Sequence, residues 1–114
     1  MIDLENFNEN FKYYGNQVVC EIIDIFAEEY PDRMISLQKS VAEEDFDEIK
    51  FNAHSLKGVI VNFMDPEPIE LARKLEEMGE NKTDDGLTET FEKLRYSTLN
   101  LLNELKAYRE TIHC

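Results

Sequence analysis

The stretch DFDEIKFNAHSLKGVIVNFM, residues 45–64, decides the fold. Asp45 followed three residues later by Glu48 reads as a capping-box-like helix start, and the apolar period behind it carries a helix to Phe63 or Met64. At about 100° per residue, Ile49, Ala53, Leu56, Ile60 and Phe63 gather in one sector roughly 140° from His54. That sector is the core stripe, and His54 is thereby directed at solvent. Gly58 stands in the same helix, where glycine costs roughly 1 kcal/mol relative to alanine. A lone histidine beside it adds little to packing, so something other than stability keeps the two there.

Outward from this helix the same period recurs. Leu4, Phe7, Phe11 and Tyr14 mark a short helix over residues 3–14, closed by Gly15 and read as a lid or flanking element. From Asn16 the pattern restarts with Val19, Ile22, Ile23, Phe26, Ala27 and Tyr30, then resumes past Pro31 with Met34, Leu37 and Val41. Because no turn-rich gap follows the proline, one long helix bent near Pro31 is expected, with two shorter helices as the fallback. Asp65-Pro66-Glu67 is a helix start, since proline is tolerated in a first turn and acids there complement the helix dipole. Ile69, Leu71, Ala72, Leu75 and Met78 follow, ended by Gly79, and Glu80 to Gly86 is turn-like. A last helix over residues 87–109 turns Leu87, Phe91, Leu94, Thr98, Leu101, Leu102 and Leu105 inward. No alternating strand pattern competes. The fold class is all-α: an antiparallel four-helix bundle with a short flanking N-terminal helix, one domain over residues 1–114.

The 114 residues suffice for a core without disulfide or metal support, and Gly and Pro are sparse at 4 and 3, against disorder. A net charge of −13 excludes a nucleic-acid partner, because phosphate backbones are held by clustered Lys and Arg, and an anionic membrane would repel this surface too. No segment reaches the roughly 20 apolar residues of a membrane span. The acidic start at Met1 lacks the features of a secretory signal, and the sequence leaves open a free-standing protein or a piece of a larger sensor. Cys20 and Cys114, with no CxxC pair and no zinc spacing, point to a reducing cytoplasm, and His113 with Cys114 reads as a frayed tail. A monomer is expected.

The chemistry lies around His54. Lys57, at i+3, brings an ammonium within reach of an anion held on the imidazole, and Gly58, at i+4, removes the side chain that would stand over the ring. Asp47, Lys50 and Val61 fall on or beside this face. Phe51 lies near it as well, so a modest apolar surface surrounds the histidine; the competing reading tucks Phe51 under the N-terminal helix. An exposed imidazole is largely neutral at pH 7 and is a competent nucleophile toward an acyl phosphate on a partner's aspartate. Such transfer relies on alignment and charge stabilisation, so one nucleophile and one cation suffice where the partner brings the metal. No nucleotide-binding glycine-rich loop is present, which argues against kinase activity.

His54-Ser55-Leu56-Lys57-Gly58, with Asn62-Phe63 downstream, resembles the motif of the histidine-containing phosphotransfer (HPt) domain. That family carries His, an apolar residue two later, Lys at three and Gly at four, then small residues, a large apolar residue and a glycine. The layout is similar too, down to a Phe and a Pro spaced as Phe26 and Pro31 are here. The resemblance implies that His54 is the phosphoacceptor, Lys57 a charge stabiliser and Gly58 a steric opening; Lys50, Phe51 and Val61, placed around the histidine by the helical wheel, are the candidate docking residues. The implied partners are response-regulator receiver domains and hybrid sensor histidine kinases, and the implied cofactor of the chain itself is none, with Mg²⁺ on the receiver. The chain departs from the pattern at Val59 to Val61, where the family has small residues, and at Met64, where it has glycine.

Two other function classes compete. A helical interaction module would keep the fold and only bind, with His54 incidental, and the departures favour it. A small bundle enzyme finds no second catalytic group beside the histidine, since Glu76 and Glu77 show no partner arrangement in the sequence.

Overall fold

The computed structural model describes all of residues 1–114. Five α-helices and one short 3₁₀ turn make up the chain: α1 (Leu4–Phe11), α2 (Asn16–Ala42), α3 (Phe46–Ile60), the turn Val61–Phe63, α4 (Pro66–Asn81) and α5 (Leu87–Glu110). Helices α2 to α5 run antiparallel in succession, each packed on the next, and α5 closes back onto α2. At 1.5 Å per residue α2 measures about 40 Å, nearly the 44 Å long axis of the molecule. No helix is long and apolar enough to cross a membrane.

The core stripes fall where the period places them. Ile49, Ala53, Leu56, Ile60 and Phe63 are sealed from solvent, as are Ile23, Phe26, Leu37, Leu75, Leu94, Leu101 and Leu105 from the other helices. The long second helix is continuous through Pro31, whose ring withholds the N–H that would have bonded the Ala27 carbonyl. Across the core the Tyr30 hydroxyl meets the buried Thr98 hydroxyl at 2.9 Å, which satisfies both groups and ties α2 to α5.

Helix ends hold most of the surprises. Asp45 caps α3, accepting from the Glu48 N–H at 3.2 Å. The expected run to Phe63 or Met64 is there, but its last turn tightens to 3₁₀ and stops at Met64, which sits in the left-handed conformation at φ 57°. Met64 thus adopts the backbone geometry that glycine takes without penalty, at a cost of roughly 1–2 kcal/mol. Gly79 does not end α4, which continues to Asn81 and stops at left-handed Lys82. Gly15 is not a left-handed C-cap of α1; it is extended, at φ −68°, and serves as the N-cap of α2. On α1 only Phe7 and Phe11 are buried, together with Ile2 ahead of it, while Leu4 and Tyr14 stay exposed. A helix of two turns touches the bundle along a narrow line: Phe7 meets Tyr108 of α5 edge-on, and Asn10 reaches the Asn62 carbonyl.

One expectation is overturned outright. Cys114 is not a frayed end; it is disulfide-bonded to Cys20 of α2, with the α-carbons 6.1 Å apart.

Candidate functional site

His54 lies midway along the outward face of α3, and its side chain keeps 69% of its surface open to solvent. The core stripe on the opposite side anchors the helix, so the ring's direction follows from packing. Around it the structure gathers Asp47, Lys50, Phe51 and Glu76 into one shallow concavity. Phe51 is 68% exposed and makes no shelter under α1, which disposes of that competing placement. Val61 is exposed two turns further along, at the start of the 3₁₀ turn, and lines no part of the concavity. Lys50 is ion-paired across to Glu80 of α4 and is thereby held with a raised affinity for its proton.

The residue that sequence reasoning passed over is Glu76. Its Oε2 lies 3.0 Å from His54 Nδ1, and its Oε1 lies 2.7 Å from Lys57 Nζ. The lysine contact is an ion pair, and the buried Oε1 has no other partner. Burial pushes the Glu76 carboxyl up, but the ammonium of Lys57 and the ring N–H of His54 outweigh it and hold the carboxyl below its ordinary range. An ionised carboxylate only accepts, so Nδ1 must carry the proton in the neutral ring. Nε2 is then the nitrogen with the free lone pair, on the exposed side. A histidine, a lysine and a carboxylate therefore form one constellation, and the reading that no second group accompanies the histidine is corrected.

Two glycines make this geometry. A β-carbon on Gly58 would meet nothing within 4 Å, so the notch beside His54 is open space that no element of the chain fills. A β-carbon on Gly79 would lie 2.7 Å from the Lys50 backbone nitrogen and 2.9 Å from the Phe46 carbonyl oxygen. The absence of that carbon lets α4 approach α3 backbone to backbone, and Glu76, one turn earlier on the same face of α4, comes within reach of the ring. A signal for this was present in the sequence. Ala72, Glu76 and Gly79 recur at i, i+4 and i+7, a carboxylate set in a stripe of small residues that marks a close helix contact.

Chemically the arrangement offers an accessible nitrogen nucleophile, whose neutral ring has one tautomer favoured, and a carboxylate to balance the positive charge the ring gains when Nε2 gives up its lone pair. An ammonium held at the same edge completes the group. The concavity at the ring is open to solvent. A family model described as Hpt domain matches residues 21–111. No curated protein and no solved structure matches the chain.

Proposed function

The chain belongs to the Hpt domain family, whose members pass phosphoryl groups through histidine in two-component signalling, and from that premise we propose that His54 is the phosphoacceptor of a phosphorelay. Nε2 attacks the phosphorus of an aspartyl phosphate on a receiver domain. The N–P bond forms as the bond to the aspartate oxygen breaks, and the aspartate leaves as a carboxylate. The proton stays on Nδ1, where Glu76 offsets the charge that appears on the ring. Lys57 turns from Glu76 toward the incoming phosphoryl oxygens, and the gap at Gly58 admits them. Onward transfer to a second aspartate is the same step reversed.

The observation that carries this reading is the pairing of an open Nε2 face with a buttressed Nδ1. A merely surface histidine needs no carboxylate brought to it through a glycine notch. The partners we propose are receiver domains of response regulators or of a hybrid sensor kinase, docking over Phe51, Lys50, Gly58 and Val61 and supplying the Mg²⁺ themselves. We propose that the chain acts as a monomer in the cytoplasm, where phosphoryl groups derived from ATP enter such relays.

The test is to incubate the chain with a phosphorylated receiver domain and Mg²⁺ and to follow acid-labile, alkali-stable phosphate. Wild type takes up label and His54→Gln takes up none. Label that persists in the variant removes His54 from the mechanism, and absence of label on wild type across several receivers leaves only a binding module.

A further inference from the structure

We propose that Cys20 and Cys114 form a reversible thiol–disulfide clasp that fastens the segment after α5 onto α2 and sets the order of that end of the bundle, without altering the His54 face. The α-carbon separation of 6.1 Å lies within the range that a disulfide spans with no backbone movement. Neither cysteine lies in the span 21–111 that the family model matches, so the clasp is an addition to the common bundle and no part of its working core. The proposal rests on the cytoplasmic placement above: where thiols are kept reduced, a disulfide in a chain with an ample apolar core is conditional, made and broken with redox state.

The two thiols are unequal. Cys20 is 2% exposed, whereas Cys114 stands at the surface, so exchange with a small disulfide begins at Cys114. The Cys114 thiolate attacks one sulfur of glutathione disulfide and expels one glutathione thiolate, leaving a mixed disulfide. The Cys20 thiolate then attacks Cys114 Sγ and expels the second. Two protein thiols are oxidised, one glutathione disulfide is reduced to two glutathiones, and the two protons pass to the departing thiolates.

The reach of the clasp is bounded by its neighbours. Arg109 holds Asp24 of α2 through two hydrogen bonds, at 2.6 and 2.7 Å, so α5 stays docked when the disulfide opens. What loosens is the stretch beyond Arg109, including Ile112, which packs on the core as does nearby Tyr108, the ring that Phe7 of α1 meets. The level of His54 is marked by Arg33 bonding Ser55 and by Asn52 bonding the Ser36 carbonyl. That level lies roughly 20 Å further along α2 than Cys20, which is why the transfer chemistry is expected to ignore the clasp.

The experiment compares the full chain, oxidised with glutathione disulfide and reduced with glutathione, by thermal unfolding, amide hydrogen exchange and phosphoryl uptake from a receiver. Closing a loop of 94 residues should raise Tm by roughly 10 °C or more. Reduction should speed exchange in residues 108–114 and in α1 about tenfold more than the uniform acceleration that lower global stability gives the core amides of α3 and α4, while uptake at 25 °C changes less than about twofold. Cys114→Ser, at an exposed position that does not threaten folding, should behave as the reduced form under both conditions. His54→Gln should keep the full redox response, which separates failure of the clasp from failure of the phosphoacceptor. Equal Tm and exchange in the two states, or no disulfide at any glutathione ratio, overturns the clasp; a large change in uptake overturns its independence from the His54 face.

Discussion

Gly58 on α3 and Gly79 on α4 stand in the interiors of neighbouring helices, and each lacks a side chain for an opposite reason. At Gly79 the missing β-carbon is filled by the backbone of α3, with Lys50 nitrogen and Phe46 oxygen under 3 Å from where it would be. At Gly58 the missing β-carbon leaves a space that nothing in the chain enters. The first glycine serves the fold, and the second leaves the space that the proposed receiver domain would enter. Helix propensity treats the two alike, at about 1 kcal/mol each relative to alanine, so only the surroundings separate a structural notch from a functional one.

Substituting alanine at both positions sharpens that contrast, and the larger effect belongs to Gly79→Ala. Its new carbon strikes two backbones that cannot swing aside as a side chain would. An overpacking cost of up to about 3 kcal/mol therefore exceeds the helix-propensity gain of about 1. The net loss of about 2 kcal/mol corresponds to a Tm lower by about 8 °C in thermal unfolding. Phosphoryl uptake should fall with it, because pushing α4 away carries Glu76 off the ring. Unchanged stability would mean that the close approach of α3 and α4 is not a tight contact.

Gly58→Ala is the mirror image. With open space around it and a helical backbone, alanine should raise stability by about 0.5–1 kcal/mol in denaturant unfolding while slowing phosphoryl uptake severalfold by crowding Nε2. A variant that is both more stable and equally active would remove Gly58 from the site.

How much of this was legible follows the same division. Stripes that lie along one helix, such as Ile49, Ala53, Leu56 and Ile60, could be read because period and burial are properties of a single element. The outward aim of His54 came with them, and so did Asp45 as cap. What was missed lies between elements, where the one signal, the small residues Ala72 and Gly79 flanking Glu76, is weak beside the stripes. Gly79 looks like a terminator when α4 is taken alone, and it becomes a contact only once α3 lies against it. Glu76 looks like one acid among 25 Asp and Glu until the notch brings it to the ring. Leu4 and Tyr14 failed because two turns of helix sample the period too briefly to fix which side faces inward. Cys20 and Cys114 are 94 residues apart and carry no local pattern at all.

A third substitution tests the bond that joins the two regions. Glu76→Gln keeps the side chain's shape and removes its charge, so the ring loses the carboxylate that fixes its proton on Nδ1. Uptake should slow roughly tenfold, about 1.4 kcal/mol of barrier. The stability consequence is a matter of pH. The folded-state pKa of Glu76 lies below its ordinary value of 4.5, held there by Lys57 and His54 against the upward push of burial. Its stabilisation is therefore complete above the unfolded value and is lost as pH falls through the depressed folded one. Wild type and Glu76→Gln should differ in stability at pH 6 and converge as the pH falls below 4.5 and through the depressed folded value. A gap that stayed constant across that range would show that ionisation of Glu76 contributes nothing to it, and the carboxylate would then have no part in preparing His54.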